Sequence, residues 1–370
     1  MAATDSAYEQ ATRLLSQRNL HQKIWLPQTS THARLRVTFS TTTNFVEDES
    51  LPVVLFIGPM FGTRYMGLMF DRMAREIGVR MICVDRPGLG GSMPVKGDQR
   101  VDVWLETVPV LLQHLNVKHV HIMSHSAGTI YTLNTISRFR DMLHPKSPYV
   151  ALLAPWVDNK CSNVGLMNAA SKLPAGAFSY WSNLNEFISQ RVMPASLWSG
   201  GLFSSMAGRF QAQPGEADTG DSEDAQEKYG VDKKTTGEIE ALSGRYAFAE
   251  DMSGGNDEAR LCVKKLGAGA WADCEDYMDF VGALSRREKE RMGEDGAASR
   301  LKVRMHFAES DVLIGKGGQR YFEECWKQDG VAESIDVVSK EWPGSNHDSV
   351  LVDSKVGAVR SVLEEIKRLR

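Results

Sequence analysis

The chain has 370 residues, 42% apolar and 24% charged, with a formal net charge of −4, so it can bury a large core and offers no electrostatic case for nucleic acid. Cys83, Cys161, Cys262, Cys274 and Cys325 form no C-x-x-C pair, which removes a zinc ribbon or a disulfide framework and fits a reducing compartment. No run approaches about 18 uncharged apolar residues and the N-terminal stretch, with Asp5, Glu9 and Arg13, has no signal-peptide core, so no stable membrane span and a cytoplasmic location are expected.

Tyr8, Ala11, Leu14 and Leu15 stand at helical spacing, so a short amphipathic helix is expected within residues 3–20. From Ala33 to Phe39 the alternation of Leu35, Val37 and Phe39 predicts an antiparallel edge strand. The run Val53-Val54-Leu55-Phe56-Ile57 is different, because a nearly continuous apolar stretch suits a strand covered by helices on both faces. A helix is expected from Tyr65 to Ile77, then a strand from Arg80 to Val84. The glycine-rich turn Asp85-Arg86-Pro87-Gly88-Leu89-Gly90-Gly91-Ser92 follows. Its glycines fail the G-x-G-x-x-G pattern, since Met93 takes the sixth place, so its role is read as structural. A helix carrying Val103, Leu105 and Val108 to Leu112 leads to the strand that begins at His119. Another apolar run, Tyr149 to Ala154, completes a β-α-β-α-β-α-β order, which predicts a parallel sheet with right-handed crossovers.

Between about Val157 and Arg300 the strand-like runs stop and helical or irregular segments take over. The expected organisation is a first core part over 1–157, an inserted and mainly helical cap over 158–300, and a second core part over 301–370. Within the insertion, 211–234 holds Glu216, Asp218, Asp221, Glu223, Asp224 and Glu227 with few apolar residues, and reads as a solvated, disordered loop. Helices are expected at Glu238 to Glu250 and at Ala270 to Arg291. The sheet resumes at Leu301 to Phe307, with a helix from Gly318 to Lys327, a strand from Ser334 to Val338, and a last helix carrying Val356, Val359, Leu363, Ile366 and Leu369 on one face.

The chemistry centres on His121-Ile122-Met123-Ser124-His125-Ser126-Ala127-Gly128. Apolar residues suit a strand before Ser126, while Ala127, Ile130, Leu133 and Ile136 give a helix face after it, so Ser126 sits on the corner between them. Such a corner needs small residues two places either side, and Ser124 and Gly128 supply them. The S-x-S-x-G pattern departs from G-x-S-x-G by one serine. It resembles the nucleophile elbow of the α/β-hydrolase superfamily, and the resemblance covers residues 30–157 and 301–370 in order. The whole chain is similar to fungal α/β-hydrolases with a long helical insertion. The resemblance implies an α/β fold with a mostly parallel sheet, helices on both faces and an inserted cap.

It also implies a site. A serine hydroxyl needs a base, and the base needs an acceptor to fix its tautomer. The family order of Ser, acid, His makes Ser126 the nucleophile, His347 the base and Asp311, in Ala308-Glu309-Ser310-Asp311, the acid; Glu309 and Asp158 are the competing acids. The oxyanion hole is implied at the backbone N–H groups of Ala127 and Met60, the latter because Gly58-Pro59-Met60-Phe61-Gly62-Thr63-Arg64 resembles the family's His-Gly-x-Pro-Gly-Ser-Arg loop. Pro59 has no N–H to give. Trp156, Trp181 and Trp198 are candidate substrate-binding residues, with Trp156 at the pocket entrance. His119-x-His121-x-x-x-His125 lacks the spacing and the Asp of a metallo-β-lactamase motif, so no metal and no cofactor are expected. The implied activity is that of a serine hydrolase cleaving a small to medium apolar ester or lactone through an acyl-enzyme. The alternatives are an aminopeptidase-like or C–C bond hydrolase on the same triad, or a non-catalytic small-molecule binding protein.

Overall fold

Eight strands form one sheet in the computed structural model, which describes residues 5–162, 164, 228–292 and 299–369. They are β1 (Gln22–Leu26), β2 (Leu35–Thr41), β3 (Val53–Ile57), β4 (Arg80–Val84), β5 (His121–His125), β6 (Tyr149–Leu153), β7 (Leu301–Ser310) and β8 (Ile335–Asn346), in the order β1-β2-β4-β3-β5-β6-β7-β8. β1 with β2 and β2 with β4 are antiparallel, and the remaining neighbours are parallel. Every residue of β3, β4, β5 and β6 is buried, as the apolar runs of β3 and β6 require between two helical layers.

The longer helices are α1 (Ala7–Leu15), α2 (Met66–Ile77), α3 (Arg100–His114), α4 (Gly128–Arg138), α5 (Lys233–Ala249), α6 (Ser253–Cys262), α7 (Tyr277–Met292), α8 (Gly315–Cys325) and α9 (Val359–Arg368). The period of two along each strand divides the core. Val54, Phe56, Met81, Met123, Ala151 and Leu153 meet α2 and α9 on one face. Val53, Leu55, Ile57, Ile82, Ile122, Val150 and Leu152 join α3, α4, α6, α7 and α8 on the other. Among the described residues no helix is long and apolar enough to cross a membrane.

Several elements differ from the sequence reading. β1 is an additional edge strand, short enough that its inward pair, Ile24 and Leu26, gave little periodicity. β7 and β8 run on together to Ser310 and Asn346, so β8 extends well past Val338. Residues 228–234 are not a disordered loop: Tyr229 and Val231 pack beside α1 and α5, and Asp232 caps α5 by accepting from the Lys234 and Thr235 amides. The part of 211–234 before Lys228 lies outside the described residues. The stretch 228–292, expected within a cap, is packed into the molecule. α5 meets Ala11 and Leu15 of α1 through Ile239, Leu242 and Ala247, while Trp271, Tyr277, Phe280, Val281 and Leu284 belong to the same core as the sheet. α6 was not anticipated because Gly254 and Gly255 mask a helix in the sequence. A Cβ on Gly254 would lie 2.8 Å from Arg100 Nη1 and closer still to Pro87 O, and one on Gly255 would overlap the Phe61 ring. The glycines let α6 lie directly on the glycine-rich turn and on the loop after β3.

Candidate active site

β5 lies between β3 and β6, and the chain turns at its C-terminal end. Ser126 takes a left-handed φ of 52°, a conformation a serine holds only where its surroundings impose it. The restraints are visible. Ser126 N donates to Leu153 O at 3.0 Å, and Ser126 O accepts from Thr129 N at 2.9 Å and Trp156 N at 3.3 Å. A Cβ on Gly128 would lie 2.9 Å from Gly58 O and closer still to Ile57 O, so glycine allows the start of α4 to rest against the end of β3. Ser124, opposite Ile57 and Leu152, is fully buried.

The other two residues follow from the β7–β8 register. Ser310 pairs with Asn346, so the next residues, Asp311 and His347, leave parallel strands side by side at the C-terminal edge of the sheet. His347 Nδ1 donates to Asp311 Oδ2 at 2.7 Å. That fixes the tautomer, and Ser126 Oγ donates to His347 Nε2 at 2.9 Å. The second Asp311 oxygen accepts from Leu313 N at 2.9 Å and Ile314 N at 2.8 Å. Burial alone would lower the His347 pKa, but the Asp311 charge and hydrogen bond outweigh it and raise the pKa above the ordinary imidazole value. Burial would raise the Asp311 pKa, and the His347 contact with the two amides holds it low.

The structure thus brings together Ser126, His347 and Asp311, and it does not bring the competing acids to the histidine. Glu309 accepts from Gly344 N at 2.7 Å, and Asp158 faces Lys264 at 3.4 Å. Ala127 follows Ser126, and Met60 lies in the Pro59–Gly62 turn after β3. Among the described residues neither backbone N–H has an acceptor. Trp156 is a packed residue only 2% exposed. Its indole N–H donates to Cys262 O at 2.9 Å and its carbonyl accepts from Tyr277, because α6 and α7 close over it. Trp181 and Trp198 lie outside the described residues.

Three functional neighbours were missed. His125 Nε2 donates to His347 O at 2.7 Å and so holds the histidine loop; burial, with His347 nearby, pushes its pKa down to about 3, leaving it neutral. The sequence offered only its place beside Ser126. Arg86 and Glu258 form a buried ion pair that reaches the loop before Met60, and only the charge of Arg86 within an otherwise structural turn could have drawn attention to it. His125, His347 and Asp348 offer ligand atoms within 4.8 Å of one another, but both His347 ring nitrogens are already engaged, which fits a proton relay better than a metal. His119 and His121 meet His144 at the opposite end of β5 from His125.

No family model and no curated protein matches the chain. Among solved structures it is similar to an epoxide hydrolase from Vigna radiata, at 13% identity over 94% of this chain and 96% of that one, with a TM-score of 0.52. It is also similar to epoxide hydrolase A from Mycobacterium thermoresistibile, at 14% identity over 94% and 98% with a TM-score of 0.52. A thermophilic esterase from Thermogutta terrifontis matches at 13% identity over 94% and 97%, with a TM-score of 0.50. At these identities the shared property is the fold.

Proposed function

We propose that this chain, which has the α/β-hydrolase fold, is a serine hydrolase that cleaves a small to medium apolar ester or lactone through an acyl-enzyme. The observation that carries the reading is the continuous hydrogen-bonded chain from Ser126 through His347 to Asp311, with Ser126 on a strained corner. In the first half-reaction Ser126 Oγ attacks the acyl carbon while His347 Nε2 takes its proton, and Asp311 stabilises the resulting imidazolium without itself becoming protonated. The negative oxygen of the tetrahedral intermediate is held by the Ala127 and Met60 N–H groups, at roughly 3 kcal/mol of barrier for each donor. His347 then protonates the leaving oxygen. Water repeats the sequence in reverse and releases the acid. The epoxide hydrolases share the fold, but epoxide opening in this fold resembles carboxylate-nucleophile chemistry, and this chain has a serine at the corner. The test is turnover of p-nitrophenyl esters of graded acyl length beside an aryl epoxide. Ester hydrolysis that disappears in Ser126→Ala supports the proposal. Epoxide opening without ester hydrolysis, or full ester activity in Ser126→Ala, would overturn it.

A further inference from the structure

The buried pair Arg86 and Glu258 joins the insertion to the loop that carries Met60. Arg86 follows Asp85 at the end of β4, and its side chain is fully buried. Its Nη1 donates to Gly58 O at 2.8 Å and its Nη2 to Pro59 O at 2.5 Å. The remaining fork meets Glu258 of α6, through Nε to one carboxylate oxygen and through Nη2 to the other at 2.8 Å. Glu258 is held in turn by Arg100 Nη2 at 2.9 Å and Tyr131 Oη at 3.2 Å, and Arg100 is anchored on Pro87 O at 2.6 Å. Gly254 and Gly255 bring α6 close enough for Glu258 to make this contact.

The atoms that Arg86 grips matter. Pro59 C=O and Met60 N–H belong to one peptide group, and the chain has no cis peptide among its described residues. In a trans peptide the two groups point in opposite directions, so fixing the carbonyl fixes where the N–H points. Pro59 O accepts from Gly62 N at 2.8 Å as well, and Arg86 adds a second donor there and one on the preceding carbonyl. Two successive peptide planes are thereby set. A buried Arg–Glu–Arg group adds little net stability over apolar packing, whereas its fixed fork defines geometry well.

We propose that Arg86, held by Glu258, is a positioning residue that aims the Met60 N–H at the developing oxyanion. This rests on the reading of Met60 as an oxyanion donor given above. It makes α6 of the insertion part of the catalytic support, in addition to any role of the insertion in choosing substrate.

The experiment compares Arg86→Lys and Glu258→Gln with the intact chain, using a p-nitrophenyl ester and an aryl trifluoromethyl ketone whose adduct on Ser126 carries the oxyanion. Rates are normalised to the active molecules counted by fluorophosphonate titration. Lysine keeps a cation but lacks the planar fork that reaches both carbonyls and both carboxylate oxygens at once. The expected result for Arg86→Lys is a fall of about 100-fold in both kcat and kcat/KM with KM nearly constant, the signature of a contact made in the transition state. The ketone's inhibition constant should rise by a matching factor, while the acid limb set by His347 stays in place. A residue that only supports folding would reduce the active fraction and leave normalised kcat and ketone affinity intact. Values within about threefold of the intact chain would overturn the proposal. If Arg86→Lys does not fold, Glu258→Gln decides by the same criterion, with a loss of about tenfold expected. Absence of ester turnover in the intact chain would instead remove the hydrolase reading on which this inference stands.

Discussion

Asp311→Asn gives a sharp test of how the acid works, because the structure dictates which way the new amide must face. Asp311 Oδ1 is pinned by the Leu313 and Ile314 N–H groups, so an asparagine keeps its carbonyl oxygen there. Its NH2 then takes the place of Oδ2, 2.7 Å from His347 Nδ1. An NH2 donates, so Nδ1 must accept, and the ring proton moves to Nε2. The nitrogen facing Ser126 is then protonated and cannot receive the hydroxyl proton. The expected fall in kcat is about 10⁴-fold, or roughly 5.4 kcal/mol at 1.36 kcal/mol per decade. Asp158→Asn serves as the control, since Asp158 lies on Lys264 rather than on the histidine. The assay is kcat on a p-nitrophenyl ester for the two folded variants, with circular dichroism confirming the fold. A loss of less than tenfold in Asp311→Asn, or a crippled Asp158→Asn, would refute the tautomer argument.

The pH profile should carry the mark of the same contact: His347 must be neutral to act as base and its pKa is raised, so kcat/KM should fall with acidification along a limb centred above ~6.5. A profile flat down to pH ~5 would contradict a histidine base. Glu258 should make the fold acid-sensitive, since burial would raise its pKa but Arg86 and Arg100 hold it at about 2, below the ordinary 4.5. A depressed carboxylate stabilises the folded state above its unfolded pKa and loses that contribution as pH falls from about 4.5 to about 2. Tm measured across that window should fall less steeply in Glu258→Gln than in the intact chain. Gly128→Ala should destabilise by about 2 kcal/mol or more and remove activity, because the new methyl meets the Ile57 and Gly58 carbonyls; unchanged Tm and turnover would show that the corner relaxes easily.

The central strands and the Ser126 corner were legible for one reason: both are written in short, local patterns. Val53–Ile57 and Tyr149–Leu153 needed continuous apolar runs to survive between two helical layers, and Ser126 needed small residues at 124 and 128 to make its turn. Asp311 and His347 are 36 residues apart in sequence and were picked out by the order of the resemblance, since β8 shows no alternation up to Asn346. What remained hidden depends on contacts between distant segments. Glu258 meets Arg86 across 172 residues, and the helix that delivers it carries a Gly-Gly pair that local propensity counts against a helix. Trp156 read as a pocket-entrance residue, because aromatic bulk in sequence does not reveal which packing partners, here α6 and α7, will cover it. His125 stood in the sequence only within a histidine pattern that fails as a metal motif. Its role comes from a single bond to a backbone carbonyl 222 residues away.

The central claim is that Ser126 is the activated nucleophile, and covalent labelling with a fluorophosphonate followed by peptide mass mapping measures it directly. The account predicts one phosphonylated residue, Ser126, with labelling lost in Ser126→Ala and strongly slowed in His347→Ala, because the hydroxyl has no other base within hydrogen-bond reach among the described residues. An intact chain that takes up no label, or one whose label maps to a different residue and persists in Ser126→Ala, would contradict it.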